Sequence, residues 1–146
     1  MDAVEEALCF GWIDSTITPI NGTSYQRFSP RRKDSPWTEL NKERVRRLMK
    51  LGLMTEKGKK VLPSLGPHSF KLDVEVVAIL KKERIWTKFK SFHPLYQRIR
   101  VSNIVFHRTR HPSTYEKYLI ILLMKPEKEI CMAIGMIMED CLIIKY

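Results

Sequence analysis

The chain lacks the raw material for several common kinds of protein. Its 146 residues include only 3 cysteines, an odd number without close spacing. That excludes a disulfide framework and a cysteine-rich zinc site. Its 6 glycines stand singly, so there is no phosphate-cradling loop, no G-x-G-x-x-G and no G-x-S-x-G elbow. No stretch approaches the roughly 18 uninterrupted apolar residues of a membrane-spanning helix. The longest apolar run is Tyr118 to Met124. The opening segment, MDAVEEALCF, is acidic where a secretory signal is basic. A cytoplasmic protein is the expectation, with Cys9 as a buried thiol in a reducing compartment. No metal or other cofactor is expected. His107 and His111 have the i,i+4 spacing of metal ligands, but Pro112 interrupts the helix, Arg108 and Arg110 add positive charge, and no third ligand is in sight.

What the chain does have is charge of one sign. Lys+Arg number 26 against 16 Asp+Glu, a net +10. The segment from Arg27 to Lys60 holds 12 Lys+Arg against 4 Asp+Glu, a net +8. One segment therefore carries most of the field, and it draws anionic partners, nucleic acid or an acidic protein surface. A solvated basic helix face has the same composition. With 44% hydrophobic residues the chain has enough apolar content for a packed core.

The pattern along the chain predicts an α+β fold, mostly helical, with one β-ribbon near the N-terminus. Val4 to Leu8 reads as a helix without a cap before it, as though a strand and turn preceded it. Gly11–Thr18 and Thr23–Phe28 are rich in β-formers and flank the turn signal Pro19-Ile20-Asn21-Gly22. A lone ribbon is marginal in water, so it is expected to pack on helices or pair with a further strand. Ser35 as N-cap and Pro36 at the first helical position predict a helix with a buried stripe of Trp37, Leu40, Val45, Leu48 and Leu51. Arg44, Arg46, Arg47 and Lys50 then face out or flank that stripe. Thr55 caps a short helix over Glu56–Val61, and Pro63 to Pro67 reads as a linker. Beyond it come Asp73 capping Val74–Glu83, an aromatic series Trp86, Phe89, Phe92 and Tyr96 broken by Pro94, a helix over Leu95–Val105, and a last one from Pro112. Three regions result: 1–62, 68–118 and an apolar tail, 119–146.

Two sets of residues are candidates for function. The loop Ser29–Lys33, with Tyr25, Phe28 and Trp37 near it in sequence, combines cations for phosphate with aromatics for stacking. Arg31, Arg32, Lys33, Arg44 and Arg47 are its candidate polyanion-binding residues. Trp12 and Asp14 at the ribbon are candidate ligand-binding residues, or remnants of an enzyme site completed by a region upstream. Asp at a turn is otherwise a hydrogen-bond acceptor for backbone, and Trp12 and Trp37 are otherwise core anchors.

The ordered runs Val4-Glu5-Glu6-Ala7-Leu8-Cys9-Phe10-Gly11-Trp12-Ile13-Asp14-Ser15 and Arg27-Phe28-Ser29-Pro30-Arg31-Arg32-Lys33-Asp34-Ser35-Pro36-Trp37, with Asn41, Gly52-Leu53-Met54-Thr55 and the later Leu95-Tyr96-Gln97-Arg98-Ile99-Arg100 and Asn103-Ile104, resemble the YdeI/OmpD-associated family of bacterial proteins. The resemblance covers about residues 2 to 118. It implies a non-enzymatic, bacteriocin-protection or stress-protection protein, linked by name to an outer-membrane porin, with no catalytic residues to carry over. It also implies that the strand-rich stretch preceding the VEEAL helix in the family is missing, as in an N-terminally truncated chain.

Composition changes near Leu119. Leu, Ile and Met make up 15 of the 28 residues from Leu119 to Tyr146, no Arg occurs there, and the only aromatic is Tyr146. A shift of reading frame produces such a change, and it predicts a tail that never evolved to pack and that drives self-association.

Overall fold

The computed structural model describes residues 2–66 and 68–124, and for Met124 the backbone alone. Over these residues the fold is α+β, with seven helices and one two-stranded antiparallel ribbon. Among the described residues no helix is long and apolar enough to cross a membrane. The chain divides into two compact units, Met1–Ser69 and a second beginning at Phe70.

The N-terminal unit starts with α1 (Ala3–Cys9). The uncapped start expected for this helix is corrected: Asp2 is its N-cap and accepts from the Glu5 amide at 2.8 Å. The strands β1 (Trp12–Ile20) and β2 (Thr23–Pro30) run further than their β-forming residues alone predict. The turn residues Asn21 and Gly22 have φ of 49° and 77°, the pair of positive angles that a tight two-residue hairpin turn demands. Ile20 pairs with Thr23 and Trp12 with Pro30, and the register slips between Asp14 and Ile17. No third strand joins the ribbon among the described residues, and most of it is exposed on both faces.

Helix α2 spans Glu39–Lys50 and α3 Glu56–Lys59. The expected start of α2 at Ser35-Pro36 is corrected. Thr38 is the N-cap, accepting from the Asn41 amide at 3.2 Å, and Pro36-Trp37 belongs to the approach. The core joins Leu8 and Cys9 of α1 to Val45 and Leu48 of α2 and to Met54, with Val4, Trp37, Leu62 and Leu65 packed around them. Of the predicted stripe, Val45 and Leu48 are buried while Leu51 is 42% exposed. Cys9 is buried, and that burial raises its thiol pKa first, the nearby carboxylates Glu6 and Glu5 adding to it. The carbonyl of Cys9 accepts from both the amide (3.0 Å) and the hydroxyl (2.7 Å) of Thr55, which pins the start of α3 to the end of α1.

The second unit contains α4 (Val74–Lys82), α5 (Trp86–Ser91), α6 (Pro94–His107) and α7 (Pro112–Met124). Its core is Val76, Leu80, Phe89, Val101, Ile104 and Leu122. Asp73 caps α4 by accepting from the amides of Glu75 and Val76, each at 3.1 Å. His93 caps α6 just before Pro94. The aromatic series is a continuous ladder across that break: Trp86–Phe89 at 6.1 Å, Phe89–Phe92 at 6.3 Å and Phe92–Tyr96 at 5.4 Å. Leu122 is 3% exposed in the core, so α7 runs past the composition change at Leu119 and its residues pack there. Residues 125–146 of the expected tail, and the self-association expected of them, lie outside the described residues.

Candidate functional site

Sequence composition concentrates cations between Arg27 and Lys60, and the structure sorts them by whether they are already engaged. On α2, Lys42 pairs with the buried Glu39 at 2.6 Å. Arg46 pairs with Glu43 at 2.9 Å and donates to the Leu65 carbonyl at 3.2 Å. Arg44 donates to Asn41 Oδ1 at 3.1 Å and lies 4.0 Å from Asp2. Arg47 donates to Glu5 of α1, a carboxylate only 5% exposed. Lys59 pairs with Glu56 at 2.7 Å. Arg44 and Arg47, named from the sequence as candidate polyanion-binding residues, thus have partners within the unit. They neutralise carboxylates and bind polar groups inside the unit, because α1 lays its acidic face on α2. Glu5 gave no sign of burial in sequence, since an acidic residue in a first helical turn is ordinarily solvated.

Arg31, also a candidate from the sequence, is engaged too. It is 6% exposed, its guanidinium lies 3.8 Å from the Trp37 ring centroid, and Nη1 donates to the Pro36 carbonyl at 3.0 Å. Its backbone amide donates to the Gly11 carbonyl at 2.9 Å, which closes the base of the ribbon. Burial lowers its pKa, and the charge of Asp14 opposes that. Arg31 thus holds the approach to α2 against the ribbon.

Arg32 and Lys33 follow it on the same loop and are exposed, and so is Arg27 on β2. Among the described residues none of the three takes part in a salt bridge. Arg27 shares a face of the ribbon with Tyr25, which is 55% exposed. From Phe10 to Lys33 the only acid is Asp14. It is half-buried and accepts from Gln26 Nε2 at 3.2 Å. Trp12 is 41% exposed, so its predicted role as a core anchor is corrected: no third strand or second sheet covers that part of the ribbon among the described residues. Trp37 is half-buried between the core and Arg31.

The site that emerges is the ribbon with its basal loop. It is built of Tyr25, Arg27, Arg32 and Lys33, with the neutral hydrogen-bonding side chains of Thr18, Asn21, Thr23, Ser24 and Gln26 along its length. Of these, Arg32 and Lys33 are candidates named from the sequence, and Arg27 and Tyr25 were legible only as part of a basic, aromatic segment. Their common face became visible only once the register was known. In the second unit the His107 and His111 rings lie 5.6 Å apart, with His107 edge-on to Tyr118 at 5.3 Å. Among the described residues no cluster of three or more His, Cys, Asp or Glu is placed to hold a metal ion.

No curated protein and no solved structure matches the chain. Residues 1–61, which run from α1 through α3, match a family described as a domain of unknown function, DUF8412.

Proposed function

We propose that this protein works by binding and not by turnover, and that its N-terminal unit lays the β-ribbon and the loop at its base against nucleic acid. The observation that carries this is the sorting of charge: Lys42, Arg44, Arg46 and Arg47 of α2 are engaged within the unit and only Lys50 of that helix is exposed without a salt bridge among the described residues, while Arg27, Arg32 and Lys33 are exposed together on or beside the ribbon. A two-stranded ribbon fits the major groove of a duplex, about 12 Å wide, and cations at its base reach the flanking phosphates. The neutral polar side chains along the ribbon are of the types that meet base edges. The resemblance to YdeI/OmpD-associated proteins implies a non-enzymatic, protection-type protein that acts by binding; it agrees with binding as such and does not bear on nucleic acid as the partner. The alternative, an enzyme fragment around Trp12 and Asp14, receives less support. Asp14 is half-buried on the ribbon and accepts from Gln26 Nε2 at 3.2 Å, and no cluster of three or more His, Cys, Asp or Glu is placed to hold a metal ion among the described residues.

The test is a titration of a short labelled duplex with the whole chain across a range of salt. Exchanging Arg27, Arg32 and Lys33 together for Gln is expected to weaken binding and to make the log–log salt slope shallower by about 2 to 3. A wild-type protein that leaves the duplex unbound at low salt overturns the reading, and so does a triple variant with an unchanged slope.

A further inference from the structure

The second unit is more basic than the first, whose 12 Lys+Arg stand against 8 Asp+Glu. From Phe70 to Met124 the chain carries 11 Lys+Arg and 4 Asp+Glu. The charge is densest where α4 hands over to α5: residues 81–90 hold Lys81, Lys82, Arg84, Lys88 and Lys90 against one acid, Glu83. Arg84 makes this corner possible by taking a φ of 59°, which turns the chain sharply between the two helices. At the centre of the corner is Trp86. Its ring is half-buried against the core and is anchored from beneath by Phe89, which is 1% exposed and nearly parallel to it at 6.1 Å. Two ammonium groups from opposite sides of the turn converge on the same ring, Lys81 Nζ at 5.8 Å and Lys90 Nζ at 5.7 Å from its centroid. Both lysines are exposed.

We propose that this corner is a contact for single-stranded nucleic acid, separate from the ribbon of the N-terminal unit: an unpaired base stacks on Trp86, and Lys81 and Lys90 take the phosphates on either side. An indole ring backed by a buried aromatic is a rigid platform, and the two exposed lysine ammonium groups over it swing aside to meet phosphates when a base takes their place on the ring. The occupant follows from this pairing of chemistries. An acidic peptide satisfies the lysines and leaves the ring unused. A duplex keeps its base faces stacked inside and offers only phosphates. A single strand offers an aromatic face and an anion at every step.

The experiment measures binding of the full chain to labelled oligo-dT and to an abasic strand of equal length, each over a salt series. Wild-type protein is expected to prefer oligo-dT to the abasic strand. Exchanging Lys81 and Lys90 together for Gln, at exposed positions that leave the core alone, lowers the salt slope by about 1.4. Trp86→Ala weakens oligo-dT binding about tenfold and leaves the abasic affinity unchanged. Trp86→Leu, which keeps apolar bulk against Phe89, does the same if truncation to Ala unfolds the unit. Equal affinity of the wild type for the two strands, no binding of either at low salt, or binding that the Lys81/Lys90 double variant leaves unaltered overturns the proposal. The ribbon variant at Arg27, Arg32 and Lys33 runs alongside. Loss of duplex binding in that variant with oligo-dT binding retained supports this corner as a separate site. Oligo-dT binding that the ribbon variant abolishes and the corner variants leave intact overturns it without touching the reading of the ribbon.

Discussion

The guanidinium of Arg31 is sandwiched against Trp37 and bonded to the Pro36 carbonyl, while that of Arg32, one residue on, is exposed. Removing the first opens the packing between ribbon and α2; removing the second changes only the field outside. Arg31→Ala is expected to destabilise the N-terminal unit by about 2 kcal/mol, since it deletes a desolvated cation–π contact and a hydrogen bond to a carbonyl. Arg31→Lys does not restore it, because an ammonium lacks the flat fork that both stacks and donates. Arg32→Ala is expected to leave the melting temperature in place. Thermal denaturation of the three variants followed by circular dichroism checks this, and equal shifts for Arg31→Ala and Arg32→Ala contradict it. Gly58 gives a second expectation at this scale. A Cβ built there lies 2.2 Å from the Cys9 carbonyl oxygen and 2.9 Å from its carbon, both backbone atoms. Since Cys9 O is also the acceptor for Thr55, the clash moves the joint between α1 and α3. Gly58→Ala is expected to cost about 2–3 kcal/mol, well beyond what helix propensity alone would return. Chemical denaturation measures it, and a neutral result shows that the joint gives way easily.

Local sequence signals placed elements well wherever the deciding interaction is local. Thr55 and Asp73 cap the helices their positions predict, Asn21-Gly22 turns the ribbon, and Pro112 opens α7. The start of α2 was misplaced because Ser35-Pro36 and Thr38-Glu39 are equally good local starts. What decides between them is Arg31, which reaches five residues along the chain to hold the Pro36 carbonyl. Trp12 and Leu51 have the periodicity of core residues, but no third strand joins the ribbon over Trp12 among the described residues, and Leu51 is the C-cap of α2, beyond its last helical residue. The candidate site was legible as a charged segment and no more: whether an arginine is engaged or exposed depends on acids far along the chain, Glu5 for Arg47 above all. The cap of α4 carries a prediction in pH. Asp73 accepts from two amides of its own helix and is held by Arg108 at the end of α6, Nη2–Oδ1 2.6 Å and Nη1–Oδ2 3.2 Å. The hydrogen bond from Arg108 is the main cause of a pKa below the ordinary 3.8, with the Val76 and Glu75 amides contributing. A carboxylate with a depressed native pKa stabilises fully above its unfolded value and loses that contribution as the pH falls through the native one. The second unit is therefore expected to lose stability below pH 3.8 on this account. Asp73→Ala is expected to cost about 1–2 kcal/mol at neutral pH and to flatten the acid limb. Melting curves for both proteins between neutral and strongly acid pH decide it. Parallel acid limbs refute the assignment.

At the scale of the whole molecule the charge is distributed in blocks. The first 26 residues hold four acids and no cation, the stretch from Arg27 to Lys60 has a net +8, and Phe70 to Met124 holds 11 cations against 4 acids. Part of the basic surplus in the N-terminal unit is neutralised by α1 on α2, so what remains outward is smaller than composition suggests and is confined to particular places. The last expectation concerns the change of composition near Leu119. If a shifted frame supplied the apolar residues, they drive burial at about 25 cal/mol per Å² without a shape evolved to receive them, and chains associate through them. The packing of Leu122 moves the informative cut. Ending the chain after Tyr118 removes a core residue and is expected to destabilise the second unit by about 2–5 kcal/mol, as a large-to-small core change does. Ending it after Met124 keeps α7 whole. On the reading-frame hypothesis this longer form melts as the full chain does and sediments as a smaller species. A lost or broadened unfolding transition in the form ending at Met124 shows instead that the sequence after it belongs to the fold, and the frame hypothesis falls with that result.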